Sequence, residues 1–455
     1  MLNIFLKLPK IRFLLGVLVI ALVFVPRDSF AQAPEQTVTA NLKLQERALF
    51  RQMLLSPNNV DIAFRYSEVA TKLGDLEAAI GALERILFYN ANLPRVRVEL
   101  GLLYYRLGSY EQARSYFKAA IAAPDTQPDV KDRVNGFLRE IDRRASINQF
   151  TFSAQTGFRH QSNANAGPLN GTVRALGQDA TLSSQFRKKS DWNAFGAATA
   201  RHVFDFENQR GDTWETSSSG YYARQFKLTR LNLGVVELET GPRFTLGEAT
   251  GLSVRPYVIG NVITLDDRGY SRSGGGGVSF AWQTAAVLLT PGIEYRIRDF
   301  SNSQNYTNAR DQKGSQLVGT LAASGSISAI EGLRFQAKLN LVANSAREKF
   351  YSYNQIGLDF SLPYEFVGLG FSSSRKWTLS PYAGFTVSRY KEPNQLIDPD
   401  VKRFDREWRI GATLDAPISQ NIGFAAQIQY GKTLSNLKNY RTDNLSVTFG
   451  PTVQF

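Results

Sequence analysis

Side chains that could do chemistry are scarce in this chain. Its 455 residues include two histidines, His160 and His202, and no cysteine. Thiolate nucleophiles, disulfides and cysteine-held metals are thereby excluded. The histidines suggest neither a metal pair nor a triad by their order, and no HExxH, GxSxG, Walker or dinucleotide pattern occurs. His160 beside Gln161 and Ser162 would need an acidic partner to act as a hydrolase, and none is near in sequence. Two methionines exclude a methionine-rich metal conduit. The run SGGGG (273–277) would cradle phosphate only ahead of a helix; none follows, so it reads as a turn or close backbone packing at a strand start. The expectation is a protein that is not an enzyme and uses no metal or cofactor.

Charged and aromatic side chains can instead bind, and the elements that would position them come in two kinds. From about Asn41 to Arg144 the apolar spacing is helical. The segment starting at Tyr66 aligns with that starting at Leu100 at a shift of 34 residues, matching Gly74 with Gly108, Leu76 with Tyr110, Ala79 with Ala113 and Leu83 with Phe117. This pattern resembles the tetratricopeptide repeat (TPR). Glycine permits the tight turn between helices, and alanine permits their close approach. Residues 41–56 read as a lone helix and 128–145 as a polar capping helix, giving about two full repeats. By the TPR pattern, a concave client-binding face would carry Asp61, Phe64, Glu68, Thr71 and Lys72, then Arg95, Val98, Leu102, Tyr105 and Arg106. Phe64, Lys72, Arg95, Tyr105 and Arg106 are the candidate client contacts, suited to an acidic or extended segment.

The N-terminus reads as an export signal. Lys7, Lys10 and Arg12 precede the apolar run Phe13–Val25, long enough for a signal-peptide core and too short for a spanning helix, which needs about 20 residues. Pro34 disfavours cleavage after Ala33, so residues 1–31 are expected to be removed. Their loss takes four basic residues and one acidic residue, leaving +10 of the formal +13 charge. The basic residues are dispersed and the chain is exported, so no nucleic-acid partner is expected.

After Ile147 the apolar period changes from 3.6 to 2. Leu333, Phe335, Ala337, Leu339 and Leu341 alternate with Arg334, Gln336, Lys338 and Asn340. Soluble strands usually run five or six residues; these run about ten, apolar on one side and charged on the other. That is the pattern of a transmembrane β-barrel. The expected strands are 148–160, 191–204, 213–228, 233–247, 252–264, 276–287, 288–299, 315–328, 333–346, 350–364, 376–390, 405–417, 422–433 and 444–455, fourteen in all. The fold class is an α-helical TPR-like domain (32–146) followed by an antiparallel barrel (147–455).

With the helical domain in the periplasm, connections after odd strands face outward, the longest being 161–190, with 300–314 and 391–404 next. Lumen-facing charge leans basic: Arg243, Arg255, Arg296, Arg298, Arg334, Lys338 and Arg409 oppose Glu237, Glu239, Glu294, Glu407 and Asp415. Either the interior is salt-bridged for stability or it guides an acidic passenger. No aromatic track suited to sugars is evident. The chain ends NLSVTFGPTVQF, with Leu445, Val447, Val453 and Phe455 on one face. An alternating last strand with a terminal aromatic, here Phe455, resembles the signal read by the barrel-assembly machinery of bacterial outer membranes.

Signal peptide, short TPR module and barrel together resemble the surface lipoprotein assembly modulator (Slam) family. The stretch GFRHQSNANAGP (157–168) is similar to that family's Gly-aromatic-x-x-x-Ser-Asn-x-Asn motif. The segment NYRTDNLSVTFGPTVQF (439–455) is similar to its closing Arg-x-Asp-Asn strand. The resemblance implies an outer-membrane translocator whose periplasmic TPR module captures a client protein, a lipoprotein, and whose barrel helps move it to the cell surface. Barrel-assembly machinery and outer-membrane lipid are the other implied partners. An exopolysaccharide export porin is the alternative, although two repeats are short for one; a passive porin or adhesin would leave the TPR module unexplained.

Overall fold

The computed structural model describes residues 32–123, 126–144, 146–208, 210–247, 251–284, 286–368 and 376–455, with side chains described from residue 40. The expected signal peptide, 1–31, lies outside the described residues. The chain divides into two compact units at Ser146/Ile147.

Among the described residues the first unit has six helices: α1 (Gln32–Leu55), α2 (Val60–Leu73), α3 (Leu76–Tyr89), α4 (Pro94–Arg106), α5 (Tyr110–Ile121) and α6 (Pro128–Arg144). Their ends follow from local chemistry. Asn59 caps α2 by accepting from the Asp61 and Ile62 amides at 3.0 and 3.2 Å, and Asp75 caps α3 through the Ala78 amide at 2.9 Å. Gly74 and Gly108 turn the chain with φ of +85° and +81°, a conformation that glycine adopts without strain. Ala79 and Ala113 are fully buried, as close helix approach requires. Gly101 plays the same part: a Cβ there would sit 2.5 Å from the ring of Phe117, which is itself fully buried.

The second unit is a closed barrel. Its strands are β1 (Asn148–Gln161), β4 (Asp191–Asp205), β5 (Thr213–Gln225), β6 (Leu233–Thr245), β7 (Leu252–Leu265), β8 (Arg268–Gln283) and β9 (Val287–Phe300). They continue with β10 (Gly314–Ser326), β11 (Arg334–Ala346), β12 (Tyr353–Ser361), β14 (Trp377–Tyr390), β15 (Phe404–Pro417), β16 (Ile422–Ser435) and β17 (Thr442–Gln454). These fourteen pair antiparallel in order, and β1 closes on β17. A hairpin, β2 (Thr172–Ala175) and β3 (Gln178–Thr181), stands in the first long connection, and β13 (Tyr364–Phe366) extends the β14 edge. At a rise of about 3.3 Å and a tilt of about 40°, thirteen residues span roughly 33 Å, enough to cross a bilayer's hydrocarbon core.

Register separates the two faces of the wall. Ile297, Trp408, Ile410 and Ile428 point outward, with Ile297 and Ile410 62% and 63% exposed. Such a belt of apolar side chains is costly in water and at home in lipid. Among the described residues no helix is long and apolar enough to span a membrane. The closed barrel fits an outer-membrane protein.

One strand departs from the sequence expectation. The glycine run lies in the middle of β8, beginning five residues after its first residue, not at a strand start. A two-residue turn at Asp266 and Asp267, with φ of +59° and +55°, starts that strand early. The run serves close packing: Gly277 faces Tyr257, whose ring carbon Cζ would lie 2.6 Å from any Cβ placed there.

Candidate client-binding face and barrel lumen

On the helical unit, the Arg95 guanidinium lies 4.7 Å from the Phe64 ring centroid, joining two of the expected client contacts across α2 and α4. Arg95, Lys72 and Arg106 are exposed, with Lys72 bonded to Glu68 at 2.8 Å. Tyr105 is more occupied than the repeat pattern suggested. Its ring meets Tyr110 at 5.8 Å and Phe137 of α6 at 5.5 Å, and Val98 and Leu102 pack into the same cluster. The capping helix therefore covers much of the α4 half of the expected face. Its remaining character is cationic.

Behind that face, Glu84 accepts hydrogen bonds from Tyr104 at 2.8 Å and Tyr116 at 2.9 Å, and the two rings stack 5.5 Å apart. Burial, and then the Glu84 carboxylate, push the Tyr104 phenol up to about 12 and raise Tyr116 further.

In the barrel, all seven expected lumen cations lie on the face opposite the apolar belt, and five are ion-paired. Arg243 bonds Glu215 at 2.7 Å; Arg255 reaches Glu215 at 3.4 Å and also pairs with Glu239. Arg296 pairs with Glu237 at 2.6 Å and with Glu294, Arg334 with Glu365 at 2.7 Å, and Arg409 with Asp359 at 2.9 Å and Glu407 at 3.0 Å. Among the described residues, Arg298 and Lys338 have no carboxylate within 4.0 Å.

Glu215, absent from the sequence expectation, is the hub of the largest group. It is 5% exposed and also receives Arg201 at 3.2 Å. Its strand, TWETSSSGYYARQ, is polar on both faces along its middle, which hides the alternation that would have placed it.

The aromatic residues were also missed. Tyr351, Tyr353 and Tyr390 line one lumenal cavity with Arg298, Gln312, Asn344 and Arg403. They come from separate strands and connections, so spacing in sequence gave no sign of it. The three tyrosines form one cluster at a single cavity, not the track suited to sugars that the sequence reading looked for.

The quoted motifs meet in space. Asn163 is 3% exposed; its amide nitrogen donates to the carbonyls of Gly167 and Asp443 at 2.9 Å each, and its oxygen accepts from the Gly167 amide at 2.8 Å. Asn165 bridges to the carbonyl of Arg187 and the amide of Lys189 at 2.8 Å each. Beyond this knot the β2–β3 hairpin is strapped to two other connections. Arg174 bonds Asp398 at 2.9 Å and Asp179 at 3.2 Å, and Lys438 bonds Asp179 at 2.6 Å. Lys438, then Arg174, hold the Asp179 carboxyl below its ordinary range. The 162–190 connection is thus a folded cap fastened over this end of the barrel.

Phe455 pairs across the closing seam. Its amide donates to Phe152 O at 2.9 Å, its carbonyl accepts from Phe152 N at 3.2 Å, and the rings stack at 6.4 Å. The histidines are apart and on the outer face: His160 packs on Trp192 at 5.0 Å, and His202 stacks on Phe150 at 4.4 Å.

With this geometry in hand, the comparisons are specific for the helical part. The tetratricopeptide repeat family matches residues 94–125, the α4–α5 pair. This part of the chain is a tetratricopeptide repeat. No curated protein matches the chain. Among solved structures it is similar to Pseudomonas aeruginosa PcrH, seen with the chaperone-binding region of PopD: 18% identity, 26% of this chain and 90% of that one, TM-score 0.22. It is similar also to Yersinia enterocolitica SycD with a peptide of the translocator YopD: 15% identity, 26% and 91%, TM-score 0.22. A third is TTC0263, a TPR protein of Thermus thermophilus: 20% identity, 22% and 50%, TM-score 0.20.

Proposed function

We propose that this chain is an outer-membrane translocator. Its TPR unit captures a client protein in the periplasm, and its barrel helps move that client to the cell surface, through the lumen or along the wall. One observation carries the reading: a repeat module that leaves Arg95, Lys72 and Arg106 exposed is built in one chain with a closed, lipid-belted barrel. Helix-repeat faces of this kind bind extended segments, and the cations select acidic ones.

The Slam resemblance adds that the client is a lipoprotein. In this reading Phe455 recruits the assembly machinery, and the protein is a conduit rather than a catalyst. Nucleotide is not available in the periplasm, so movement draws on client folding outside or on partner machinery. A photo-reactive residue in place of Lys72, activated in living cells, tests the capture step. The expected adduct is a lipoprotein whose yield falls when Arg95 is changed to Glu. Adducts to no exported protein would overturn the reading.

The second reading, an exopolysaccharide export porin, is favoured by the tyrosine-lined cavity in the lumen. Against it stands the short repeat array, since recruiting synthase partners across the periplasm asks for more repeats.

A further inference from the structure

Arg298 differs from the paired lumen arginines. One guanidinium nitrogen donates to Asn344 Oδ1, whose own amide is spent on the Tyr351 carbonyl at 2.9 Å. Its Nε is shielded from solvent and has no protein partner. Arg298 is half-buried and its guanidinium lies 5.4 Å from the Phe300 ring, but no carboxylate faces it, so an anion would supply the missing counter-charge. The neighbouring Arg403 does not share the need. Asp405 holds it at 2.6 Å, and its guanidinium lies 3.3 Å from the Tyr440 ring and 4.5 Å from that of Tyr390.

The cavity beside Arg298 is about 230 Å³, the size of one small ring. It opens at the barrel end opposite the start of β1 and the end of β17, where β9, β11, β12 and β14 meet the connections carrying Gln312, Tyr351 and Arg403. Among the described residues, the hydroxyls of Tyr351, Tyr353 and Tyr390 have no hydrogen-bond partner. Tyr353 and Tyr390 both line the cavity, with ring centroids 5.3 Å apart.

We propose that this cavity binds an acidic sugar unit: one ring bearing a carboxylate and several hydroxyls. The carboxylate pairs with Arg298. The ring hydroxyls satisfy the three phenols, and the apolar ring face packs on Tyr353 or Tyr390. A bare carboxylate would leave the phenols unmatched, and a neutral sugar would leave the charge unmatched. The site is independent of what the TPR unit captures. Its ligand is a free acidic monosaccharide or one unit of an acidic polymer.

Calorimetric titration of the purified full-length chain in detergent tests this, with D-galacturonate, tri-galacturonate, D-galactose, acetate, inorganic phosphate and a glutamate-rich peptide as probes. The expected result is binding of galacturonate at least tenfold tighter than galactose, acetate or phosphate. Arg298→Gln should weaken it at least tenfold and Tyr353→Phe several-fold. Heat-dependent gel migration confirms that each variant is folded, and Tyr353→Phe removes a single oxygen should Arg298→Gln fail to fold. Binding of the trimer as tight as the monomer assigns the ligand to a polymer; binding of the monomer alone assigns it to a free sugar. Acetate or phosphate matching galacturonate, a folded Arg298→Gln binding like the parent, or a folded parent binding neither uronate would overturn the proposal. So would tighter binding of a glutamate-rich peptide.

Discussion

Asn444 Oδ1 accepts a hydrogen bond from the backbone amide of Asn163 at 2.9 Å, joining the first long connection to the final strand. With the contacts of Asn163 to Gly167 and Asp443, this makes one buried, fully used amide at the seam where the barrel closes. Asn163→Ala would leave the Gly167 amide and two carbonyls unpartnered, at about 1–3 kcal/mol for each group that water cannot reach. The expected outcome is a lower urea midpoint in detergent and faster proteolysis within residues 162–190. Asn163→Asp, which keeps the acceptor and loses the donors, should fall between.

Glu215 is the second point of vulnerability. Arg201, Arg243 and Arg255 all converge on it. Glu215→Gln leaves these cations with Glu239 as their remaining carboxylate, and breaking a buried ion pair in this way costs about 3–5 kcal/mol. Equilibrium unfolding in urea should show that loss. Glu365→Gln, which breaks the half-exposed pair with Arg334, should cost about 1 kcal/mol or less.

In the helical unit, Gly101 is set by Phe117, whose ring occupies the space of a Cβ. Gly101→Val should destabilise this unit by about 1–3 kcal/mol through overpacking. Thermal melts followed at the helical 222 nm band should show the loss, and Phe117→Leu in the same chain should recover part of it.

How far the sequence was legible depends on which physical constraint was acting. Lipid outside and water inside impose a strict period of two, so most strand ends fall within two or three residues of their expected places. The start of β8 was missed because Ser273–Gly277 has almost no side chains to alternate. The 34-residue repeat was legible because turn glycines and buried alanines are forced by helix contact. Tyr105 was expected to face a client, but the pattern could not show that Phe137 would reach its ring. Glu215 and the tyrosine cavity depend on cross-strand register between distant segments, which no local spacing encodes.

Tyr104 and Tyr116 give the helical unit a pH signature. Both phenols ionise later in the folded chain than the ordinary value of 10, because burial and then Glu84 oppose the phenolate. The folded state therefore holds more protons than the unfolded state above pH 10. Their stabilising contribution is complete below pH 10 and is lost as pH rises toward about 12. Helical melting temperature should fall across that interval. Glu84→Gln, which removes the carboxylate but not the burial, should make the fall shallower.

The central claim is that a client crosses to the cell surface with the help of this chain. It is tested most directly by deleting the gene and comparing which lipoproteins external protease cleaves on intact cells. The account predicts that at least one lipoprotein becomes protected while its total amount stays constant, and that the full chain restores cleavage but the barrel alone does not. An unchanged lipoprotein pattern accompanied by loss of a surface polysaccharide would contradict it.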